Sequence, residues 1–593
     1  MTDRDDRDKR RSQAWFNPED IDMAALYLER YTNSGRSLKE LRSGRPVIGI
    51  AQTGSDLSPC NQHLIQLAAR IKDGIKDAGG VAFEFPVHPL FENARRPTAA
   101  LDRNLAFLGL VEVLRGHPLD GVVLTTGCDK TTPACLMAVA CTNTPAIVLS
   151  GGPMLNAWVD GKRVGSGSII WEARRRHAAG EISDEDFIEL AAASAPSAGH
   201  CNTMGTALSM NGLAEALGMS LPGCAAIPAP HKERGQMAYD TGRRAVEIVE
   251  ANLKPSDILT RSAFLNAIRV ATALGASSNC PPHLIAIARH MGVELSLDDW
   301  HAHGESLPLL CDVQPAGQFL GEEFHRAGGV PAVMGELLAA DCLDGTPLTV
   351  TGDTVADNLG ARRSLDREVI KPVSQPLAEN AGFMLLSGNF FETALLKMSV
   401  VSESFRSEYL ADGGSEVKAV VFEGPEDYRQ RIDDPALPVN EDSILIIRNC
   451  GPVGYPGSAE VVNMRPPAHL VSEGVLVLPT MGDGRQSGTS ASPSILNMTP
   501  EAAIGGGLAL LQDGDTLRID LAQRRIDVLL SESELDERRA EAEQQQTALS
   551  PKSASPWEII YREHVGGLDT GACLEFATEV QRINDRGVPR HNH

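Results

Sequence analysis

A unit of apolar strand, polar loop and helically spaced segment repeats through residues 47–154, and nothing else in the chain restricts its fold so strongly. Residues 47–51 (VIGIA) read as a short buried strand, followed by a loop carrying Asp56, Ser58, Pro59, Cys60 and Asn61. Residues 64–80 (LIQLAARIKDGIKDAGG) have helical spacing and stop at a glycine pair, as a C-capped helix does. VAFEFPVHP is the next strand-like run and leads past Glu92 into another helix; the strand pattern returns at residues 122–130 (VVLTTGCDK) and 145–154 (PAIVLSGGPM). Strands alternating with helices of this length predict a mostly parallel sheet with helices on both faces, a three-layer α/β/α domain. In open sheets of that kind ligands sit beyond the carboxyl ends of the strands, which singles out Cys128, Asp129 and Lys130 after the run at 122–124. A soft thiolate beside a hard carboxylate can serve two different metals. Taken alone, the three residues would more simply be a strand end with a buried cysteine and a surface ion pair.

The rest of the chain narrows the choice. At 593 residues it is too long for a single core, and more than one domain is expected. Lys and Arg number 54 against 78 Asp and Glu, a net charge of −24, which argues against nucleic acid or an anionic membrane as partner. No apolar run is long enough to span a bilayer, and the opening MTDRDDRDKRRSQAWF lacks the apolar segment of a secretory signal, so the expected location is cytoplasmic. Eleven cysteines, none in a C-x-x-C pair, suggest neither a disulfide framework nor a zinc ribbon. Any cysteine chemistry must be assembled from distant positions.

Residues 160–193 are mostly helical and polar, and small residues then surround His200 and Cys201 before a helix from about Thr206. A phosphate cradle is the competing reading of that stretch, but it lacks Gly-Lys-Ser/Thr and a preceding dinucleotide-type strand. Cys280 and His283 look like a metal pair, yet the two prolines between them favour a structural turn, and both are left out of the site. The prolines of residues 371–379 (KPVSQPLAE) mark a boundary, placed at 375/376. Beyond it GFMLLSG, VKAVVFEG, DSILIIRNCG, GVLVLPT and the hairpin-like TLRIDL and RRIDVLL predict a β-rich, barrel-like C-terminal domain. The terminal VPRHNH is open to three readings: a scar, a frayed end or a functional arm.

Three cysteine loops, SPCN at Cys60, GCDK at Cys128 and GHCNTMG at Cys201, stand with FENARRPTA, GYPGSAE and DGRQSGT in one order. Over residues 15–569 this set resembles the family of dihydroxy-acid, phosphogluconate and sugar-acid dehydratases. The resemblance implies that Cys60, Cys128 and Cys201 hold a 2Fe-2S cluster, one short of the usual four ligands, so that one iron is left open as a Lewis acid. It also implies Mg²⁺ held by Glu92, Asp129, Glu460 and a carbamylated Lys130, a set of oxygen donors suited to a hard cation. Ser487, with Thr489 beside it, matches the family's base. One loop departs from the family pattern: Gly275-Ala276-Ser277-Ser278-Asn279 stands where relatives carry Gly-Gly-Ser-Thr-Asn.

The implied reaction removes water from a 2,3-dihydroxy acid. Mg²⁺ grips the carboxylate and the C2 oxygen, Ser487 takes the C2 proton, the open iron takes the C3 hydroxyl, and the enol becomes a 2-keto-3-deoxy acid. The wording IAQTGSDLSPCN, FPVHPLFENARRPTAALDRNL and PRHNH sits nearest the pentonate-acting members, with D-xylonate the expected substrate. A small-molecule sugar acid, no nucleic acid, no membrane, and a homodimer or homotetramer are the implied partners. With the cysteines in residues 1–375 and Glu460 and Ser487 in 376–593, the site is expected in an interdomain cleft. Two alternatives stay open: a dihydroxy-acid dehydratase of branched-chain amino-acid synthesis, and a non-catalytic iron-sulfur redox sensor.

Overall fold

The computed structural model describes residues 10–90, 99–545 and 551–590. Its first sheet has four parallel strands, β1 (Val47–Gln52), β2 (Val81–Pro86), β3 (Gly121–Thr126) and β4 (Ala146–Ser150), in the order β2-β1-β3-β4. Every residue of β1, β3 and β4 is buried, whereas β2 at the edge is partly exposed. Continuous apolar runs of this kind belong to strands covered on both faces, and the α/β/α expectation holds.

The crossovers are helices: α1 (Leu64–Asp77) after β1, α2 (Ala99–Gly116) after β2 and α3 (Thr131–Thr142) after β3. All twelve residues of α3 are buried, as expected of a helix enclosed by others rather than laid on a surface. It packs against β3, α2, α4 (Thr206–Ala216) and α6 (Cys280–Met291). Between α4 and α6, helix α5 (Lys232–Glu250) crosses α1 at two glycines. A Cβ on Gly74 would lie 2.0 Å from the Tyr239 carbonyl, and one on Gly242 would lie 2.2 Å from that of Ile71, so the backbones meet directly. Cys280 and His283 lie on α6, with the two prolines in its first turn. Cys280 is buried, and His283 Nδ1 is 3.1 Å from the Arg103 guanidinium.

A two-stranded hairpin, β5 (Ala157–Val159) with β6 (Lys162–Val164), precedes the second sheet. That sheet has eight strands: β7 (Phe383–Leu386), β8 (Thr393–Lys397), β9 (Ser415–Phe422), β10 (Ser443–Ile447), β11 (Thr480–Gly482), β12 (Ser494–Thr499), β13 (Thr516–Asp520) and β14 (Arg525–Val528). Their order is β14-β13-β9-β10-β11-β12-β8-β7, and a bridge from Ser387 to Arg525 joins the two edges, so the sheet nearly closes on itself. The barrel-like expectation holds, with a difference in its centre. Strands β9 to β12 run parallel, flanked by antiparallel pairs. The GVLVLPT run contributes only its last residue to β11, because Leu476 and Val477 are half exposed and lie along a cavity wall.

The last segment returns to the first core. Helix α7 (Pro556–His564) and the residues after it place Tyr561, Leu568, Ala572, Cys573, Leu574 and Ala577 among the core side chains of the N-terminal sheet and helices. Arg103, fully buried on α2, donates to the carbonyls of Gly571 and Ala572. Among the described residues no helix is long and apolar enough to cross a membrane.

Candidate active site

The strand order of the first sheet reverses direction between β1 and β3, and the loops leaving the carboxyl ends of those neighbours carry Cys60 and Cys128. Asn61 locks the two loops together: its Oδ1 accepts the backbone N–H of Cys128 at 2.6 Å, and its Nδ2 donates to Thr53 Oγ1 at 3.0 Å. Only glycine fits at 127, where a Cβ would lie 2.4 Å from that same Asn61 oxygen. On the other side Asn211 of α4 donates to the Gly127 carbonyl at 3.0 Å and accepts from Thr126 Oγ1 at 2.8 Å. Cys201 arrives by a third route. The segment after β4 pairs with its loop, His200 N–H donating to the Gly152 carbonyl (3.1 Å) and Met154 N–H to the His200 carbonyl (2.9 Å). The ends of β1, β3 and β4 thus each hold one of the three cysteines singled out from the sequence.

Burial governs the charges here. The Cys128 thiol is in hydrogen-bond contact with Cys60, and that contact together with burial raises it well above the ordinary thiol range. Burial pushes the Cys201 thiol up to about 11. The Lys130 ammonium lies 3.0 Å from Asp129 Oδ2 and 3.9 Å from Glu460 Oε1. Burial drives this lysine well below its usual range and Asp129 well above its own, so each member of the pair is pushed towards neutrality.

The second sheet supplies the facing wall in the same manner, from loops after β10 and β11. These loops pair at Glu460 and Arg485: Arg485 N–H donates to the Ala459 carbonyl (3.0 Å) and Val462 N–H to the Arg485 carbonyl (3.1 Å). Buried Asp483 anchors the turn by accepting the backbone N–H groups of Cys450, Asn449 and Ala502, and its carboxyl is pushed up to about 6 by burial. Glu460 accepts from Arg485 Nη1 at 3.1 Å and from Asn279 Nδ2 at 2.7 Å. Asn279 comes from the loop that departs from the family pattern, so the changed residues have not withdrawn this contact. Ser277 in the same loop pairs with Thr206 Oγ1 at 2.8 Å. Ser487 Oγ stands 2.9 Å from Thr489 Oγ1, and the Asn463 side chain accepts the Ser487 N–H at 3.1 Å.

The two walls meet. Lys130 reaches Glu460, Asn279 reaches the Gln486 carbonyl, and a Cβ on Gly488 would lie 2.6 Å from the Thr206 nitrogen. A cavity of about 860 Å³ opens from Glu460, Asn463 and Thr489 towards Trp171, Arg174, Tyr428 and Arg465. Glu92 and the tail residues His591, Asn592 and His593 lie outside the described residues. Sequence reasoning passed over Trp171, Asn211 and Arg485. Arg485 lay inside the DGRQSGT loop and could have been found there, whereas Trp171 and Asn211 carry no local signal.

The donor chemistry fits the groups that the family resemblance implies. Three thiols from three separate loops gather at one end of a sheet, which suits a sulfur-bound cluster. Among the described residues no three His, Cys, Asp or Glu side chains form a group able to hold one metal ion. Asp129 and Glu460 are the two described carboxylates of the implied Mg²⁺ set, and a modified Lys130 would add oxygen donors between them.

Residues 45–358 match the N-terminal and residues 368–572 the C-terminal part of the dihydroxy-acid/6-phosphogluconate dehydratase family. The chain is 58% identical over 588 residues to the D-xylonate dehydratase of Caulobacter vibrioides, covering 98% of each protein. It is 43% identical to the L-arabinonate dehydratase of Rhizobium leguminosarum bv. trifolii, covering 96% of each. With the dihydroxy-acid dehydratase of Halothermothrix orenii the identity is 36%, over 91% of this chain and 96% of that one. Fold and similarity along nearly the whole length agree: the chain is a hydro-lyase belonging to the dihydroxy-acid/6-phosphogluconate dehydratase family.

Proposed function

We propose that this enzyme dehydrates a sugar acid, D-xylonate foremost, to the corresponding 2-keto-3-deoxy acid. The observation that carries the reading is the juxtaposition of three thiols, Asp129 and Lys130 on one wall with Glu460, Ser487 and Thr489 on the facing wall. When bound, a 2Fe-2S cluster on Cys60, Cys128 and Cys201 would supply a Lewis-acidic iron, and Mg²⁺ on Glu92, Asp129, Glu460 and carbamylated Lys130 a compact positive charge. Lys130 is suited to carbamylation because burial favours its neutral amine, the form that reacts with carbon dioxide.

The chain's own groups do the rest. Arg485 and Asn279 fix one oxygen of Glu460, which among the described residues leaves the other to act as a ligand. Ser487 takes the proton from C2, with its oxygen within reach of the Thr489 hydroxyl and, at 3.4 Å, of the Thr489 backbone N–H. Residues 1–375 carry the thiols and residues 376–593 carry Glu460 and the base loop, so substrate binds where two parts of the chain must both be in place. A homodimer or homotetramer in the cytoplasm is part of the same reading.

The similarity to a D-xylonate dehydratase supports a pentonate over a branched-chain substrate. Polar side chains in the cavity wall, Asn463 and Arg465 among them, support it too, because hydroxyls at C4 and C5 need hydrogen-bond partners when they leave water. Anaerobically prepared protein is expected to convert D-xylonate to a 2-keto product with higher kcat/KM than it shows for 2,3-dihydroxyisovalerate. Preference for the branched-chain acid would overturn the sugar-acid reading. Absence of turnover on any dihydroxy acid would favour the redox sensor.

A further inference from the structure

Trp171 lies on the helix Ser168–Ala178, in the cavity wall, and its indole Nε1 is 3.0 Å from Thr489 Oγ1. The indole nitrogen can only donate, so the threonine oxygen must accept from it. The Thr489 hydroxyl still has its own hydrogen to place. Among the described residues Ser487 Oγ, at 2.9 Å, is the only acceptor within hydrogen-bond distance. Trp171 donates to Thr489, and the Thr489 hydroxyl hydrogen is then available to donate to Ser487 Oγ.

The threonine is also held mechanically. A Cβ on Gly167 would lie 2.7 Å from both Thr489 Oγ1 and Cγ2, and one on Gly205 would lie 3.2 Å from Cγ2. Two glycines therefore form a slot around the threonine side chain, and Trp171 closes it. Rotation of Thr489 about χ1 would drive its methyl into one wall or strip the indole N–H of its acceptor, at a cost comparable to a lost buried hydrogen bond.

We propose that Trp171 is a positioning residue for the elimination: through its N–H it holds the Thr489 hydroxyl as a donor aimed at Ser487 Oγ. The proposal rests on the reading of Ser487 as the base. Charge gathers on that oxygen whenever the serine gives up its proton, and a donor already aimed at it needs no reorganisation. Trp171 does not touch the reacting atoms and acts only through Thr489.

The test is a double-mutant cycle on the holoenzyme with D-xylonate. Trp171→Phe keeps the ring and removes the N–H; it is expected to lower kcat about tenfold with KM within about twofold of wild type. Thr489→Val is expected to lower kcat at least as far, and adding Trp171→Phe to it should cost nothing more. Benzothienylalanine at 171, with sulfur in place of the indole N–H and nearly the same shape, should match the Phe variant even if that variant folds poorly. Three results would overturn the proposal: wild-type kcat in the benzothienylalanine protein, an equal loss from Trp171→Phe with and without Thr489, or an effect confined to KM. Wild-type turnover in both Ser487→Ala and Thr489→Val would instead remove the underlying base assignment.

Discussion

At the scale of single residues, the proposed function separates groups that would hold cofactors from groups that would move protons. Cys60→Ser, Cys128→Ser and Cys201→Ser are each expected to lose visible colour, iron and sulfide together with activity. Cys342→Ser, whose thiol among the described residues bonds to the Ala340 carbonyl in its own turn, should keep all of them. Normal iron content in the three ligand variants would withdraw the assignment. Ser487→Ala removes no thiol and no carboxylate, so it should keep the colour and lose turnover by at least about a hundredfold. Near-native rates would take Ser487 out of the mechanism. The cysteines were legible in the sequence because each sits in a loop of small polar residues at a strand or helix end. Asn61 and Asn211 tie those loops together through contacts across 67 and 84 positions, and no local pattern reports such pairings.

Among the elements, the parallel strands of the first sheet could be read directly, because strands buried on both faces are continuously apolar. In the second sheet, β8 and β12 went unread. Thr393–Lys397 and Ser494–Thr499 are short and mix polar with apolar residues, and their burial comes from neighbours distant in sequence. The GVLVLPT run errs the other way: it has strand composition but no ladder partner before Thr480. The crossing of α1 with α5 gives this scale its test. Gly74→Ala forces a methyl against the Tyr239 carbonyl, so the helices must separate, at a cost of roughly 1–3 kcal/mol or more. A lowered Tm with unchanged iron per folded molecule is the expected outcome, and an unchanged Tm would mean that the helices part freely.

For the molecule as a whole, the two sheets share one design principle. Each presents loops from the carboxyl ends of adjacent parallel strands, β1 and β3 in one and β10 and β11 in the other, and the residues proposed to react lie on those loops. The first core nevertheless depends on the end of the chain. A fragment of residues 1–375 lacks Tyr561, Leu568, Cys573 and Leu574, and it leaves Arg103 without its two carbonyl partners. Such a fragment is expected to unfold non-cooperatively and to bind dye as a loosened core does, while adding a segment spanning residues 551–590 should restore a sharp transition. A sharp transition without that segment would show that the returning residues are dispensable.

That dependence also has a direction in time. A ribosome releases the three thiol loops long before the residues that seal Arg103, so during synthesis the nascent N-terminal part remains open at the place where α2, α6 and the tail later meet. Residues 556–577, translated after the loops of Cys60, Cys128 and Cys201, close the core on which those loops stand. A chain cut short before residue 556 is therefore expected to carry an unsealed N-terminal core prone to aggregation or proteolysis.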